Sequence, residues 1–189
     1  MNEERIKQLV RELIIEVGED PDREGLLKTP ERVVESMAFL TAGYRTDPGE
    51  LANEAIFESE ANNMIIARDI EVYSLCEHHI LPFYGRCHIG YIAQEKVLGV
   101  SKLARIVDCF SRRLQIQERL TAQIAREIKD AVGAEGVGVV MECRHLCMMM
   151  RCVEKQNSVM TTSSVLGSIH DEAETRAEFI NLINRPVAY

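Results

Sequence analysis

The chain has 189 residues, 46% apolar and 28% charged, with a formal net charge of −8. That length allows one domain with a real core plus a helical appendage, and the balance is that of an ordinary soluble globular protein. An acidic chain with no bilayer-length apolar run excludes a general nucleic-acid binder and a membrane-spanning protein, but a local cluster of Lys and Arg would still suit an anionic small molecule.

The N-terminus, Met1-Asn2-Glu3-Glu4-Arg5, lacks the basic start and apolar stretch of a secretory signal, which points to a cytoplasmic protein. Ile6, Leu9, Val10, Leu13, Ile14 and Val17 recur at helical spacing and predict a first helix, stopped by Gly18 and Pro21. Thr29 is a candidate N-cap for a second helix, with Pro30 at its first position, Val33, Val34, Met37 and Ala38 as its buried stripe and Gly43 as its end. From Thr46 to about Asn63 the sequence is mixed and polar, a linker with short helical turns. Residues 1–50 thus read as an N-terminal helical segment and residues 51–189 as the main domain.

The period then changes. Met64–Arg68 and Asp69–Tyr73 read as strand, and in Gly85–Ala93 the residues Cys87, Ile89, Tyr91 and Ala93 share one face while Arg86 and His88 share the other. Two helices follow, striped by Leu103, Ile106, Val107, Phe110 and Leu114 and by Leu120, Ile124, Ile128 and Val132. Gly133 and Gly136 bracket a turn. Val137–Met141 and Leu146–Val153 read as one long strand or a bent pair, Val159–Leu166 as a further strand, and a final helix turns Phe179, Leu182 and Ile183 inward. Strand pairs separated by a helix pair predict an α+β fold with a largely antiparallel sheet.

Six cysteines without an export signal suggest reduced thiols or metal ligands rather than a disulfide framework. Cys76-Glu77-His78-His79 falls between two strands, and a Cys and a His three apart on a turn can reach one ion together. Taken alone, this is as well read as a buried thiol beside two surface imidazoles. Cys143-Arg144-His145-Leu146-Cys147 adds to it. On a strand, Cys143, His145, Cys147, Met149 and Arg151 point the same way, and a core strand with incidental thiols does not account for an imidazole and a guanidinium on that face. Thiolates with imidazole favour zinc, and three protein ligands would leave a fourth position for water, whose pKa zinc lowers to roughly 7. Spacing does not choose between Cys143 and Cys147. Unligated imidazoles beside the metal can move protons.

Ser101-Lys102-Leu103-Ala104-Arg105 opens a helix, with Ser101 a natural N-cap; two cations at a helix N-terminus suit phosphate, although a capped helix with solvated charges is the plainer reading. Gln117-Glu118 starts the next helix, where acidic residues are common in any case. Cys87 and Cys109 fall on apolar faces and read as core thiols, and Cys152 alternates away from Cys147. His88 reads as a satisfied or exposed strand residue, and His170 as a loop or helix-cap residue.

Together these residues closely resemble the GTP cyclohydrolase I family, from about Thr29 to the C-terminal helix. The resemblance is carried by Cys76-Glu77-His78-His79, Ser101-Lys102 with Arg105, Gln117-Glu118-Arg119-Leu120-Thr121, His145-Leu146-Cys147 with Arg151, and Thr161-Thr162-Ser163. It implies a tunnelling fold (T-fold), a toroidal homodecamer with active sites at subunit boundaries, and conversion of GTP and water to formate and 7,8-dihydroneopterin triphosphate, the first step of pterin and tetrahydrofolate biosynthesis. By the same resemblance Cys76, His79 and Cys147 would bind zinc, and water activated there would attack the guanine carbon between the two imidazole-ring nitrogens. His78 and His145 would move protons, Gln117 and Glu118 would recognise the guanine edge, and Ser101, Lys102, Arg105 and Arg151 would hold ribose and triphosphate, with Arg32 reaching in from a neighbouring subunit. The chain departs from the pattern at Glu35, where some members carry Lys, and at Cys143, an added thiol that would compete for metal or oxidise with Cys147. Two other functions fit parts of the pattern. A T-fold nitrile reductase would need a purine-recognising Glu but not this Cys/His set, and a non-catalytic, zinc-stabilised oligomeric purine-binding module would show no turnover.

Overall fold

The computed structural model describes residues 1–53, 55–59, 63–151 and 154–186. The chain divides into two compact units, residues 1–42 and 43–189.

The N-terminal unit holds α1 (Glu3–Glu16) and α2 (Thr29–Leu40). The Asn2 side chain caps α1 by accepting the Arg5 N–H at 3.0 Å. Lys28, not Thr29, occupies the N-cap of α2, and its side chain makes no capping bond. Burial falls on Ile14 and Val34, while Leu9, Leu13 and Val17 of the expected apolar stripe stay exposed.

The second unit opens with a 3-10 turn from the unit boundary (Ala42–Arg45) and a short α3 (Pro48–Asn53). β1 (Ile56–Glu58), within what the polar sequence suggested was linker, then pairs antiparallel with β4 (Lys96–Leu98) in a small second sheet. The main sheet has strand order β5-β2-β3-β6-β7, where β2 is Met64–Cys76, β3 is Pro82–Ile92, β5 is Leu114–Gln115, β6 is Gly136–His145 and β7 is Met160–Gly167. All its pairings are antiparallel except β2 with β5. The two expected strand segments before Tyr73 are one strand, bulged between Ala67 and Ile70, with Asp69 at φ 58°.

Helices α4 (Val100–Ser111) and α5 (Gln117–Val132) cover one face of this sheet. Cys87, Ile89 and Tyr91 of β3, and Ala93 just past its end, lie buried with Leu103, Ile106, Leu120, Ile124 and Ile128 of the helices. Leu114 falls beyond α4, in β5, and Gly133 ends α5 in the left-handed region at φ 62°. Two short elements complete the main chain path: α6 (Leu146–Met149) after β6 and α7 (Ser168–Asp171) after β7. The last helix, α8 (Ala173–Asn184), packs on the opposite sheet face through fully buried Phe179, with Val140, Ile169 and Ile183 around it. Gly90 and Gly138 are register partners under the Phe179 ring, and an added Cβ at either would come within 2.7 Å of it. Covered on both faces, β6 is buried at every position from Gly136 to Met141 instead of alternating. The architecture is the α+β arrangement expected, an antiparallel sheet with paired helices.

A further expectation, the one that bears on the site, fails. Leu146–Val153 does not continue the strand: the chain turns helical at Leu146, and Cys152 and Val153 lie outside the described residues. The register explains the stop. His145 pairs with Phe83, so Leu146 would face Pro82, which has no N–H to extend the ladder.

Candidate active site

Cys76 is the last residue of β2, and the chain turns sharply after it. The Cys76 N–H donates to the Leu81 carbonyl and the Ile80 N–H to the Cys76 carbonyl, both at 2.8 Å. Closing this turn places Ile80 at φ 54°, a left-handed conformation disfavoured for a β-branched residue and tolerated where surrounding bonds fix it. A second set of bonds ties the turn to the start of α5. The Glu77 N–H donates to the Gln115 carbonyl at 3.0 Å, and the Glu77 carboxylate pairs with the Arg119 guanidinium. Arg119 also donates to the Gln115 side-chain oxygen at 2.9 Å and holds the Glu77 carboxyl below the usual carboxylate range.

On this turn the Nδ1 atoms of His78 and His79 each lie 3.8 Å from the Cys76 sulfur. Cys147 approaches from α6, and the donor atoms of Cys76, His79 and Cys147 all fall within 4.8 Å of one another. Cys76 is buried, Cys147 half-buried and His79 exposed, so the cluster opens to solvent on one side. Two sulfurs and one imidazole are a donor set for a soft or borderline metal ion, and three ligands leave a position open. Burial and the neighbouring Cys76 sulfur raise the Cys147 thiol pKa, while Arg151 opposes the rise.

Strand alternation placed Cys143 beside Cys147, and the structure separates them. Cys143 stays in β6, 1% exposed, within the core between sheet and helices. Burial pushes its thiol pKa up to about 12, leaving it protonated at neutral pH. Cys147 reaches the Cys76 turn only because the chain has left the strand. Cys87 and Cys109 are buried as expected.

His145 ends β6 with its ring stacked on Phe83, centroids 4.6 Å apart and planes 7° from parallel. Its Nε2 lies 2.9 Å from the Gln117 side-chain oxygen. Burial lowers its pKa, and the carboxylate of Glu118 opposes that shift. Gln117, the first residue of α5, is fully buried, and both ends of its amide are taken up inside the protein. Glu118 beside it is exposed and sits in the first turn, where the helix dipole favours a carboxylate.

Lys102 is 5% exposed, whereas Ser101 and Arg105 on the first turns of α4 face solvent. Gly99, not Ser101, is the N-cap. Arg151 follows α6, exposed and near enough to Cys147 to act on its thiol. Arg32 and Glu35 are exposed on α2, in the other unit. His88 is buried and satisfied, its Nδ1 accepting the Asp69 N–H at 3.2 Å; His170 is exposed and bonded to Asp171 at 2.8 Å. A groove of about 460 Å³ lined by Glu71, Tyr73, Tyr84, Arg86, Glu142 and Arg144 includes none of the candidate residues.

Phe83 and the Glu77–Arg119 pair carry part of the site and escaped sequence reading as site residues. Phe83 looks like any core aromatic, and its role appears only in the register that sets it opposite His145. Arg119 stood within a recognisable motif, but nothing in its spacing names Glu77 as its partner, 42 residues away.

Among the described residues, no helix is long and apolar enough to cross a membrane. The family profile described as GTP cyclohydrolase I matches residues 6–184. A protein from Leptospira biflexa named GTP cyclohydrolase 1 is 56% identical over 178 residues, covering 94% of this chain and 97% of its own length. Proteins of the same name from Methylococcus capsulatus and Campylobacter lari are 57% and 53% identical, over 95% and 96% of this chain and 97% and 96% of their own. The solved structure of the archaeosine synthase QueF-Like in the apo form is similar over 57% of this chain and 96% of its own, with a TM-score of 0.47 and 16% identity.

Proposed function

The chain belongs to the GTP cyclohydrolase I family of enzymes, and we propose that it converts GTP and water to formate and 7,8-dihydroneopterin triphosphate with zinc as its metal. The observation that carries this reading is the Cys76, His79, Cys147 cluster, three soft donors within 4.8 Å that leave room for a fourth ligand. Zinc held there would supply Lewis acidity, lowering the pKa of water to about 7 so that hydroxide is available at neutral pH. The chain's own residues do the rest.

Glu118 would accept the paired N–H donors on the guanine edge, with Gln117 behind it. Lys102, Arg105 and Arg151 would neutralise the triphosphate, with Ser101 on the ribose and Arg32 supplied by a neighbouring subunit. His145, held flat against Phe83, would take and return a proton during ring opening, and exposed His78 would serve the leaving nitrogen. The catalytic domain is residues 51–189, with residues 1–50 as a helical segment, and the active assembly is a toroidal homodecamer in the cytoplasm that starts pterin and tetrahydrofolate biosynthesis.

The test is incubation of purified, zinc-loaded protein with GTP. Formate and a pterin that becomes fluorescent on oxidation should appear in equal amounts, and a chelator should abolish both. No formate from folded, zinc-loaded protein would overturn the assignment.

A further inference from the structure

Gln117 is buried, its side-chain amide lies within hydrogen-bond distance of four partners, and their chemistry fixes a proton elsewhere. The amide nitrogen faces the Met141 carbonyl at 3.0 Å, the Met160 carbonyl at 2.9 Å and the Thr162 hydroxyl at 3.1 Å. Two of these three are backbone carbonyls, which only accept. Turning the amide over would press its oxygen against both carbonyls, acceptor against acceptor with no hydrogen between them, so its orientation is set by its surroundings.

The threonines reinforce this sense. Thr121 Oγ1 lies 2.7 Å from the Gln117 backbone carbonyl and 2.7 Å from Thr162 Oγ1. The carbonyl accepts only, so the single Thr121 hydroxyl proton goes to it. Thr162 must then donate to Thr121, which leaves a Thr162 lone pair for the Gln117 amide. The two amide hydrogens are shared among this lone pair and the two carbonyls, so every group facing the Gln117 nitrogen acts as an acceptor.

With the amide so oriented, the Gln117 side-chain oxygen points at His145 Nε2, 2.9 Å away. That oxygen has no hydrogen to give, so the ring nitrogen must carry one. A neutral imidazole protonated at Nε2 keeps its lone pair on Nδ1, and no hydrogen bond to His145 Nδ1 is present among the described residues. We propose that Gln117 is a positioning residue that holds His145 as the Nε2–H tautomer, so that every proton His145 exchanges enters and leaves through Nδ1. The inference rests on the proposed function for its catalytic consequence, though not for the tautomer itself. It also separates two neighbours: Glu118 faces substrate, and Gln117 faces the histidine.

The test uses zinc-loaded protein labelled with ¹⁵N-histidine, studied by solid-state NMR at about pH 8.5, where an ordinary imidazole is neutral. The His145 signals are assigned by their loss in His145→Asn. A single Nε2–H tautomer is expected in the unmodified protein. In Gln117→Met, similar in length but without an acceptor, the Nδ1–H form should appear, and kcat should fall by about tenfold or more with the GTP dissociation constant changed less than about twofold. An Nδ1–H tautomer in the unmodified protein would overturn the proposal, whether or not Gln117→Met folds. So would an unchanged tautomer in Gln117→Met, above all with weakened GTP binding, which would make Gln117 a substrate contact. Failure of the functional reading looks different: no formate from the unmodified protein, with the Nε2–H tautomer intact.

Discussion

Replacing Cys143 and Cys147 separately by alanine distinguishes a core thiol from a metal ligand that sequence alternation could not tell apart. Cys143 is 1% exposed and packed in the core. Its sulfur is comparable to a buried methylene, worth about 0.8 kcal/mol in transfer. The void left in a close-packed interior adds a similar amount, for a total of about 1 to 2 kcal/mol. At about 2 to 4 °C per kcal/mol for a chain of this size, Cys143→Ala should melt a few degrees lower. Its metal affinity should not change, because a thiol with its pKa at about 12 offers no thiolate at neutral pH. Cys147 is half-buried at the cluster, so its loss should barely move the melt of the metal-free protein. Changing a mere outer-shell partner of a metal costs about 10- to 100-fold in affinity, and losing a ligand should exceed that. The assay is calorimetric melting of each variant with and without zinc, alongside metal content after competition with a chelator. Zinc at about 100 times its dissociation constant should stabilise the parent by about 2.7 kcal/mol. Cys143→Ala should keep that increment and Cys147→Ala should lose it. A Cys143→Ala protein that sheds zinc, or a Cys147→Ala protein that retains it, would refute the reasoning.

Gly90→Ala would bring a Cβ to 2.5 Å from the Phe179 ring, and such overpacking should cost about 1 to 3 kcal/mol in chemical denaturation; an unchanged midpoint would mean α8 does not seat there as described. Burial holds the His88 pKa below its ordinary value, although Asp69 and Glu142 favour its protonation and Arg68 and Arg86 oppose it. The unfolded chain therefore binds the extra proton first, so His88's contribution is complete above about pH 6.5 and is lost as pH falls through the folded-state value. Between about pH 7 and 5, His88→Gln should show a flatter dependence of stability on pH than the parent. Glu118→Gln removes a charged acceptor from the guanine edge; at about 1.5 to 3 kcal/mol for such a bond, kcat/KM for GTP should fall about 10- to 100-fold, and an unchanged value would free Glu118 from that role.

Much of the fold is legible because its periods are clean. The alternation from Cys87 to Ala93 and the stripes of α4 and α5 all meet in one core. What escaped the pattern depends on pairing across the chain. β1 and β4 are three residues each and exist through each other, so neither stands out along the sequence. The strand containing Cys143 and His145 ends where its partner begins with Pro82, an event decided more than sixty residues upstream. That end separates Cys143 from Cys147. The chemistry-bearing residue types were legible, because Cys, His and Arg are rare on ordinary strand faces. The tasks of Gln117 and Phe83 were not, because each acts through His145, and only the folded register brings them to it.

The central claim is an open metal centre built by two thiolates and one imidazole, and X-ray absorption at the zinc edge of the loaded protein tests it most directly. The expected spectrum has two sulfurs at about 2.3 Å, with one imidazole nitrogen and one further light atom at about 2.0 to 2.1 Å, and zinc-loaded Cys143→Ala gives the same spectrum. Three or four sulfurs, or a sulfur lost in Cys143→Ala, would contradict it.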